Sequence, residues 1–293
     1  MTRVRVCAVV AAVAAVTVGA YLVRPRAEVL TEPEALTRVR QLGGSVERRV
    51  IDPDRTMVSL HLTDTAVTDA QLKPILRALT GLDTIHLSGC KRVTDASLAE
   101  LARQTELTRL DLDRSGVTGD GLTALAALPK LTDLYLCDTA VTDAGLEHIA
   151  WLTNLQELGL AGTQVTDAGL GHIARLTNLQ GLGLSGTQVT DAGMGHIARL
   201  TNLRGLSLSR TPVTDAGLKE LAPLTGLGSL WLDGTAVTDA GLGTLAQLKR
   251  LELLQLESTG VTDAGLPALR VLPELQHLLG VTWLTFWGVE TGG

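Results

Sequence analysis

Aromatic residues are scarce, with four Trp, two Tyr and one Phe in 293 residues, or 2% of the chain. That excludes a core wedged by large rings, so the 45% of apolar residues must build their interior from Leu, Val, Ile and Ala, the stock of regular repeats. Cysteine is nearly absent as well: Cys7, Cys90 and Cys137 are too few for a disulfide-dense scaffold. Positive charge is thin beyond the amino terminus. Eight Lys/Arg and four Asp/Glu precede Val50, leaving 17 basic against 27 acidic residues from Val50 onward. A body this acidic lacks the clustered cations that displace counterions from a phosphate backbone, which argues against nucleic acid and anionic lipid surfaces as partners. No nucleophile elbow, CxxC or HExxH pattern occurs, so no catalytic residue and no cofactor is assigned.

The one long apolar run lies at the start. Arg3 and Arg5 precede Val6 to Val23, eighteen residues without Asp, Glu, Lys or Arg, and Arg24, Pro25 and Arg26 end it. This is the pattern of an export signal. Val18-Gly19-Ala20 offers small residues for cleavage, whereas the basic residues right after the run suit an uncleaved anchor, so residues 1–26 are a signal peptide or an N-terminal membrane anchor. On either reading the body acts outside the cytoplasm, periplasmic, extracellular or tethered, and touches a membrane only through residues 6–23 if they are retained.

One tetrapeptide organises the rest. Val-Thr-Asp-Ala begins at Val67, Val93, Val141, Val165, Val189, Val213, Val237 and Val261, with a degenerate Val-Thr-Gly-Asp at Val117; the first interval is 26 residues and the others 24. The unit reads L-x-x-L-x-L-x-x-T-x-V-T-D-A-G-L-x-x-L-A-x-L-x-x, as in Leu155, Leu158, Leu160, Thr163, Val165, Leu170, Ile173 and Leu176. Alternation at Leu158 and Leu160 has the period of a strand, and the spacing of Leu170, Ile173, Ala174 and Leu176 suits a short helix. One strand and one helix cannot bury an apolar face alone, so neighbouring units must stack. Helix axes sit about 8 to 10 Å apart and strands about 4.8 Å, which makes the sheet side concave. The recurrent Thr-Asp pair is expected to cap each helix, side-chain oxygen to orphan N–H and carboxylate to dipole, and the Thr after each strand to bond turn backbone.

The first eight positions of the unit resemble the leucine-rich repeat strand, and V-T-D-A-G-L is similar to the cysteine-containing, ribonuclease-inhibitor-like subclass. Leu87-Ser88-Gly89-Cys90-Lys91-Arg92-Val93-Thr94-Asp95 is the nearest single stretch, with Cys90 in the subclass position; Thr or Ser elsewhere is more similar to the Thr-rich arrays of exported bacterial proteins. The resemblance implies an α/β fold, a right-handed leucine-rich-repeat solenoid (horseshoe) with a parallel sheet on the concave face and short helices on the convex face. Residues 57–280 then hold nine full repeats and a degenerate tenth. Residues 27–56 form an N-terminal cap, with a helix over Glu32 to Leu42 and an edge strand over Val46 to Ile51. Residues 281–293, with Trp283, Phe286 and Trp287, form a C-terminal cap or tail. Cys90 and Cys137 fall in non-adjacent repeats, beyond disulfide reach.

Between the two inward Leu of each strand one residue points out to the concave face: His61, His86, Asp111, Tyr135, Gly159, Gly183, Ser207, Trp231 and Gln255. A bare Gly/Ser floor between Tyr135 and Trp231, whose strands lie about 19 Å apart, is a surface on which an extended peptide or sugar chain can lie. Tyr135, Glu157, Gly159, Gly183, Ser207, Trp231 and Gln255 are the candidate ligand-binding residues, the ligand an unidentified protein or extended polymer. The alternative is that small residues simply relieve crowding on a curved sheet. The His61, His86 and Asp111 trio is a subsidiary metal candidate, with a surface hydrogen-bond network as its alternative. His148, His172 and His196 recur by duplication at helix positions too far apart to share a metal. Gly181-x-Gly183-x-x-Gly186 spells a dinucleotide fingerprint but sits on a strand, which that chemistry does not use. The expected function is non-enzymatic recognition. A substrate-recognition adaptor of the F-box, ubiquitin-ligase type and a small metal-binding or enzymatic site at the N-terminal concave face are the alternatives; about 30 residues between the apolar run and the first repeat leave no room for an F-box.

Overall fold

A computed structural model describes residues 29–53 and 55–280. The signal or anchor segment 1–26 and the tail with Trp283, Phe286 and Trp287 lie outside the described residues. Eleven strands form a single sheet in chain order: β1 (Ser45–Asp52), β2 (Arg55–His61), β3 (Thr84–His86), β4 (Arg109–Asp111), β5 (Asp133–Tyr135), β6 (Glu157–Gly159), β7 (Gly181–Gly183), β8 (Gly205–Ser207), β9 (Ser229–Trp231), β10 (Leu253–Gln255) and β11 (His277–Leu279). β1 runs antiparallel to β2, and every later neighbour pair is parallel. Among the described residues no helix is long and apolar enough to cross a membrane.

Each repeat is a parallel crossover: a strand of three residues (seven in β2), a tight turn, a short helix and a return loop. The middle residue of each short strand from β3 to β10, Ile85 and then Leu, and the Leu two residues on, such as Leu158 and Leu160, are buried and stack with their equivalents into one continuous core. The turn after each strand needs a left-handed residue at one fixed position. Gly fills it at Gly89, Gly162, Gly186 and Gly234, while Asp64, Arg114, Asp138, Arg210 and Ser258 adopt φ between 53° and 58° there. Only glycine takes that conformation without a Cβ penalty, so these five positions carry local strain that the surrounding repeats hold in place. The expected threonine role is met: Thr139, Thr163, Thr187, Thr211 and Thr235, all buried, donate Oγ1–H to the carbonyl three residues back at 2.5 to 2.7 Å.

The Thr-Asp pair takes the expected places, Thr at the N-cap and Asp in the first turn, and the carboxylate has a further use. Thr does cap its own helix, as where Thr166 Oγ1 accepts from Ala168 N. The aspartate carboxylate reaches the next repeat, where Asp167 Oδ1 accepts from Thr190 N at 2.8 Å and Oδ2 from Thr190 Oγ1 at 2.7 Å. The same two bonds join Asp69 to Thr94, Asp95 to Thr118, Asp143 to Thr166, Asp191 to Thr214, Asp215 to Thr238 and Asp239 to Thr262. The Gly that follows Asp-Ala in the unit is the complement of this ladder, since a Cβ on Gly193 would collide with Asp167 Oδ1. One rung is missing. In the degenerate repeat Gly119 stands where the aspartate should be, and Thr142 makes no side-chain cap bond. Gly119 instead packs on Gly145, backbone to backbone, and Asp120 is displaced by one residue into a 3₁₀ turn, Asp120–Ala127.

Helices are also tighter than the simple unit implied. Leu266–Val271 is 3₁₀, and Asp191–Gly193 forms a 3₁₀ turn leading into Met194–Ile197. At the amino end the helix Glu32–Gln41 starts on a Thr31/Glu34 capping box with Pro33 in its first turn, and β1 follows on the open edge of β2.

Candidate concave binding site

Parallel pairing without a register shift brings one residue per repeat into a column. His61 pairs with His86, His86 with Asp111, Asp111 with Tyr135, Tyr135 with Gly159, Gly159 with Gly183, Gly183 with Ser207, Ser207 with Trp231 and Trp231 with Gln255. A second column, two residues earlier, runs Arg109, Asp133, Glu157, Gly181, Gly205 and Ser229. A groove of about 560 Å³ opens over the middle of these columns. Of the seven expected site residues it is lined by six, Tyr135, Glu157, Gly159, Gly183, Ser207 and Trp231; Gln255 lies beyond it.

The two rings do not face each other across four empty strands. Tyr135 leans toward β6, its Cδ1 3.0 Å from where a Cβ on Gly159 would stand, and Trp231 leans back over β8, its Cζ3 3.7 Å from a Cβ on Gly205. The clear floor therefore spans about two strand spacings, roughly 10 Å, half the separation expected from strand count alone. Tyr135 is also half used: the Arg109 guanidinium stacks on its ring at 4.8 Å, donates from Nη2 to Tyr135 Oη at 3.1 Å and pairs with Asp133 at 3.4 Å. Burial pushes the Tyr135 phenol above its ordinary pKa, with Arg109 opposing. Ser207 is occupied too, its hydroxyl 2.5 Å from that of Ser185.

Glu157 is the group left over. Its half-buried carboxylate lies against Gly181, where a Cβ would collide with Oε2, and among the described residues that carboxylate has no hydrogen bond and no ion pair. Burial, and then the charge of Asp133, push its carboxyl above the usual carboxylate value, against the pull of Arg109. Cys137, Gln180 and Arg204 also line the groove, and the outward-column pattern could not find them. Cys137 sits just past a strand, and burial followed by the Asp113 charge pushes its thiol up to about 12. Gln180 and Arg204 precede their strands, on the rim. There the groove meets a second cleft of about 660 Å³ along the return loops, where Asn154, Asn178 and Asn202 donate to the carbonyls of Pro129, Thr153 and Thr177.

At the N-terminal end of the column the metal candidate takes another form. The His61 and His86 rings stack at 4.6 Å and 15°, and Asp111 Oδ2 lies 3.6 Å from His86 Nδ1. Parallel rings carry their nitrogens side by side rather than converging on one point. Among the described residues no group of three His, Cys, Asp or Glu is arranged to hold a metal ion. Burial, and then the neighbouring His61, push the His86 pKa down, with Asp111 opposing. His148, His172 and His196 lie on the helical side, in Asp143–Ile149, Asp167–Ile173 and Met194–Ile197. Gly181 and Gly183 are strand residues, so no helix N-terminus stands behind the dinucleotide spelling.

Comparisons with known proteins agree with this architecture. The leucine-rich repeat family pattern matches residues 104–126 and 199–222. The chain folds as a leucine-rich-repeat solenoid. Among solved structures, an internalin C2 of Listeria monocytogenes is 29% identical to it, covering 87% of this chain and all of that one, with a TM-score of 0.57. A second internalin of that organism is 20% identical over 71% of this chain and 69% of its own, TM-score 0.50. A TDR receptor is 18% identical over 76% of this chain and 42% of its own, TM-score 0.51. The likeness to the last two shows the fold alone. No curated protein matches it.

Proposed function

We propose that this leucine-rich-repeat solenoid is a non-enzymatic recognition scaffold that binds a protein or other extended polymer on its concave face, outside the cytoplasm. The observation that carries the reading is the groove itself, a glycine floor closed at its ends by Tyr135 and Trp231. Aromatic anchors around a concave, low-relief floor supply most of the binding energy in such sites, and a rigid sheet spends little ordering entropy on engagement. The similarity to internalin C2 over the full length of that chain supports a recognition role. Residues 1–26 would direct export, and residues 27–56 and 281–293 would close the open ends of the stack.

Site-specific photocrosslinking tests this even while the partner is unidentified. A benzophenone side chain at Gly183, on the groove floor, should give discrete adducts in cells that make the protein, and the same group at His172, on the helical side, should not. Adducts at 172 with none at 183 would move the site to the convex face.

A further inference from the structure

Gly181 and Gly205 are register partners on neighbouring strands, and each is overlain by a side chain from elsewhere: the Glu157 carboxylate on Gly181, the Trp231 ring on Gly205. The two side chains come from opposite directions along the sheet. Since their glycines are one strand spacing apart, about 4.8 Å, an unpaired carboxylate and an indole end up side by side in the groove. From this juxtaposition we infer that the groove seats the cationic side chain of an extended polypeptide, a lysine or arginine, against Glu157 and Trp231. The inference rests on the concave-face reading above.

The chemistry of the pair selects for charge. A carboxylate accepts charge-assisted hydrogen bonds from an ammonium or guanidinium, and the face of an indole attracts the same cation. Neighbouring charges leave this function to Glu157 alone. Arg109 already pairs with Asp133 and stacks on the Tyr135 ring, so each of these holds a cation and Glu157 does not. Arg204 stands exposed on the rim without an ion pair among the described residues, placed to meet backbone carbonyls or an acidic side chain of the same peptide. The raised Glu157 carboxyl fits this: burial, and then the charge of Asp133, disfavour its ionised form, and an incoming cation would offset that cost by pairing with the carboxylate. An excess of acidic residues over the whole body favours approach of a basic segment.

The test is selection of a random twelve-residue peptide library displayed on phage against the full chain, its Glu157→Gln and Glu157→Lys variants, and a Tyr135→Ala/Trp231→Ala double variant. Among the described residues the Glu157 carboxylate makes no hydrogen bond and its charge is disfavoured, so Glu157→Gln should melt no lower than the wild type. On wild type the selected peptides should share one Lys or Arg. That preference should vanish on Glu157→Gln and turn acidic on Glu157→Lys. In solution, norleucine for the selected lysine should weaken binding to wild type about tenfold and change binding to Glu157→Gln little. Peptides that depend on Tyr135 and Trp231 but keep their basic residue on Glu157→Gln, or lack one, would overturn this inference and leave the groove reading standing. Peptides indifferent to the double variant would overturn both. Failure to select any peptide would overturn the polypeptide assignment and turn attention to sugar polymers.

Discussion

Asp167→Asn, Asp167→Ala and Asp120→Asn together decide what the recurrent aspartate does. Asp167 and Asp120 both lie in the first turn of their helices, so a carboxylate acting on the helix dipole would be worth the same at each, about 0.3 to 1 kcal/mol. Only Asp167 also accepts two bonds from Thr190 of the next repeat. Hydrogen bonds to a charged group contribute about 1.5 to 3 kcal/mol each, and both partners are half-buried here, which places the loss for Asp167→Ala at about 2 to 4 kcal/mol. Asparagine keeps one oxygen for Thr190 N–H and gives up the charge, so Asp167→Asn should cost about 1 to 2 kcal/mol. Asp120→Asn should cost less than about 0.5 kcal/mol, as an exposed group with no side-chain partner among the described residues. Urea unfolding followed by circular dichroism measures all three. A smaller slope for Asp167→Ala would show the two halves of the stack melting apart. Equal losses at Asp167 and Asp120 would refute the ladder and restore the dipole.

Restoring the missing rung by Gly119→Asp should fail to stabilise, because a Cβ there comes within 2.8 Å of Gly145 Cα; a higher melting temperature would contradict the close approach. Leu182→Ala should cost about 2 to 5 kcal/mol in urea unfolding, and deletion of residues 177–200 as one unit should be far milder than deletion of twelve of them. Glu100, buried between Arg77, Lys73 and Arg103, has its carboxyl held low chiefly by Arg77, so its stabilisation is complete above the ordinary carboxylate pKa and is lost as pH falls through the lowered folded value; Glu100→Gln should flatten that acid limb of the melting profile. Cys137, with its thiol near 12, should resist iodoacetamide at pH 8 in the folded protein and react once it is unfolded.

The repeat was legible because Leu periodicity is a property of the chain itself: positions such as Leu158, Leu160 and Leu170 alternate or recur whatever surrounds them. The outward column was legible for the same reason, since the strands pair without slipping. What escaped needed distances across repeats. Asp167 begins a helix in the chain and binds the neighbouring repeat in space. Tyr135 and Trp231 are four strands apart by count, yet their rotamers bring the rings toward one another over Gly159 and Gly205. Glu157 was visible as one polar residue of a column, and only the pairing of Arg109 with Asp133 singles it out as the free charge. Arg204, a rim residue outside the strand pattern, left no signal of its own.

The most direct test of concave-face recognition is to fill the groove without disturbing the fold. Gly183 has ordinary backbone angles, and a Cβ there meets nothing closer than 3.8 Å, so Gly183→Trp should place an indole on the floor with little strain. Affinity for the partner trapped by crosslinking, measured by calorimetry alongside a thermal melt, should fall more than about tenfold with the melting temperature unchanged. Unchanged affinity in Gly183→Trp, with loss of binding in a bulky variant of the helix-face residue His172, would contradict the account.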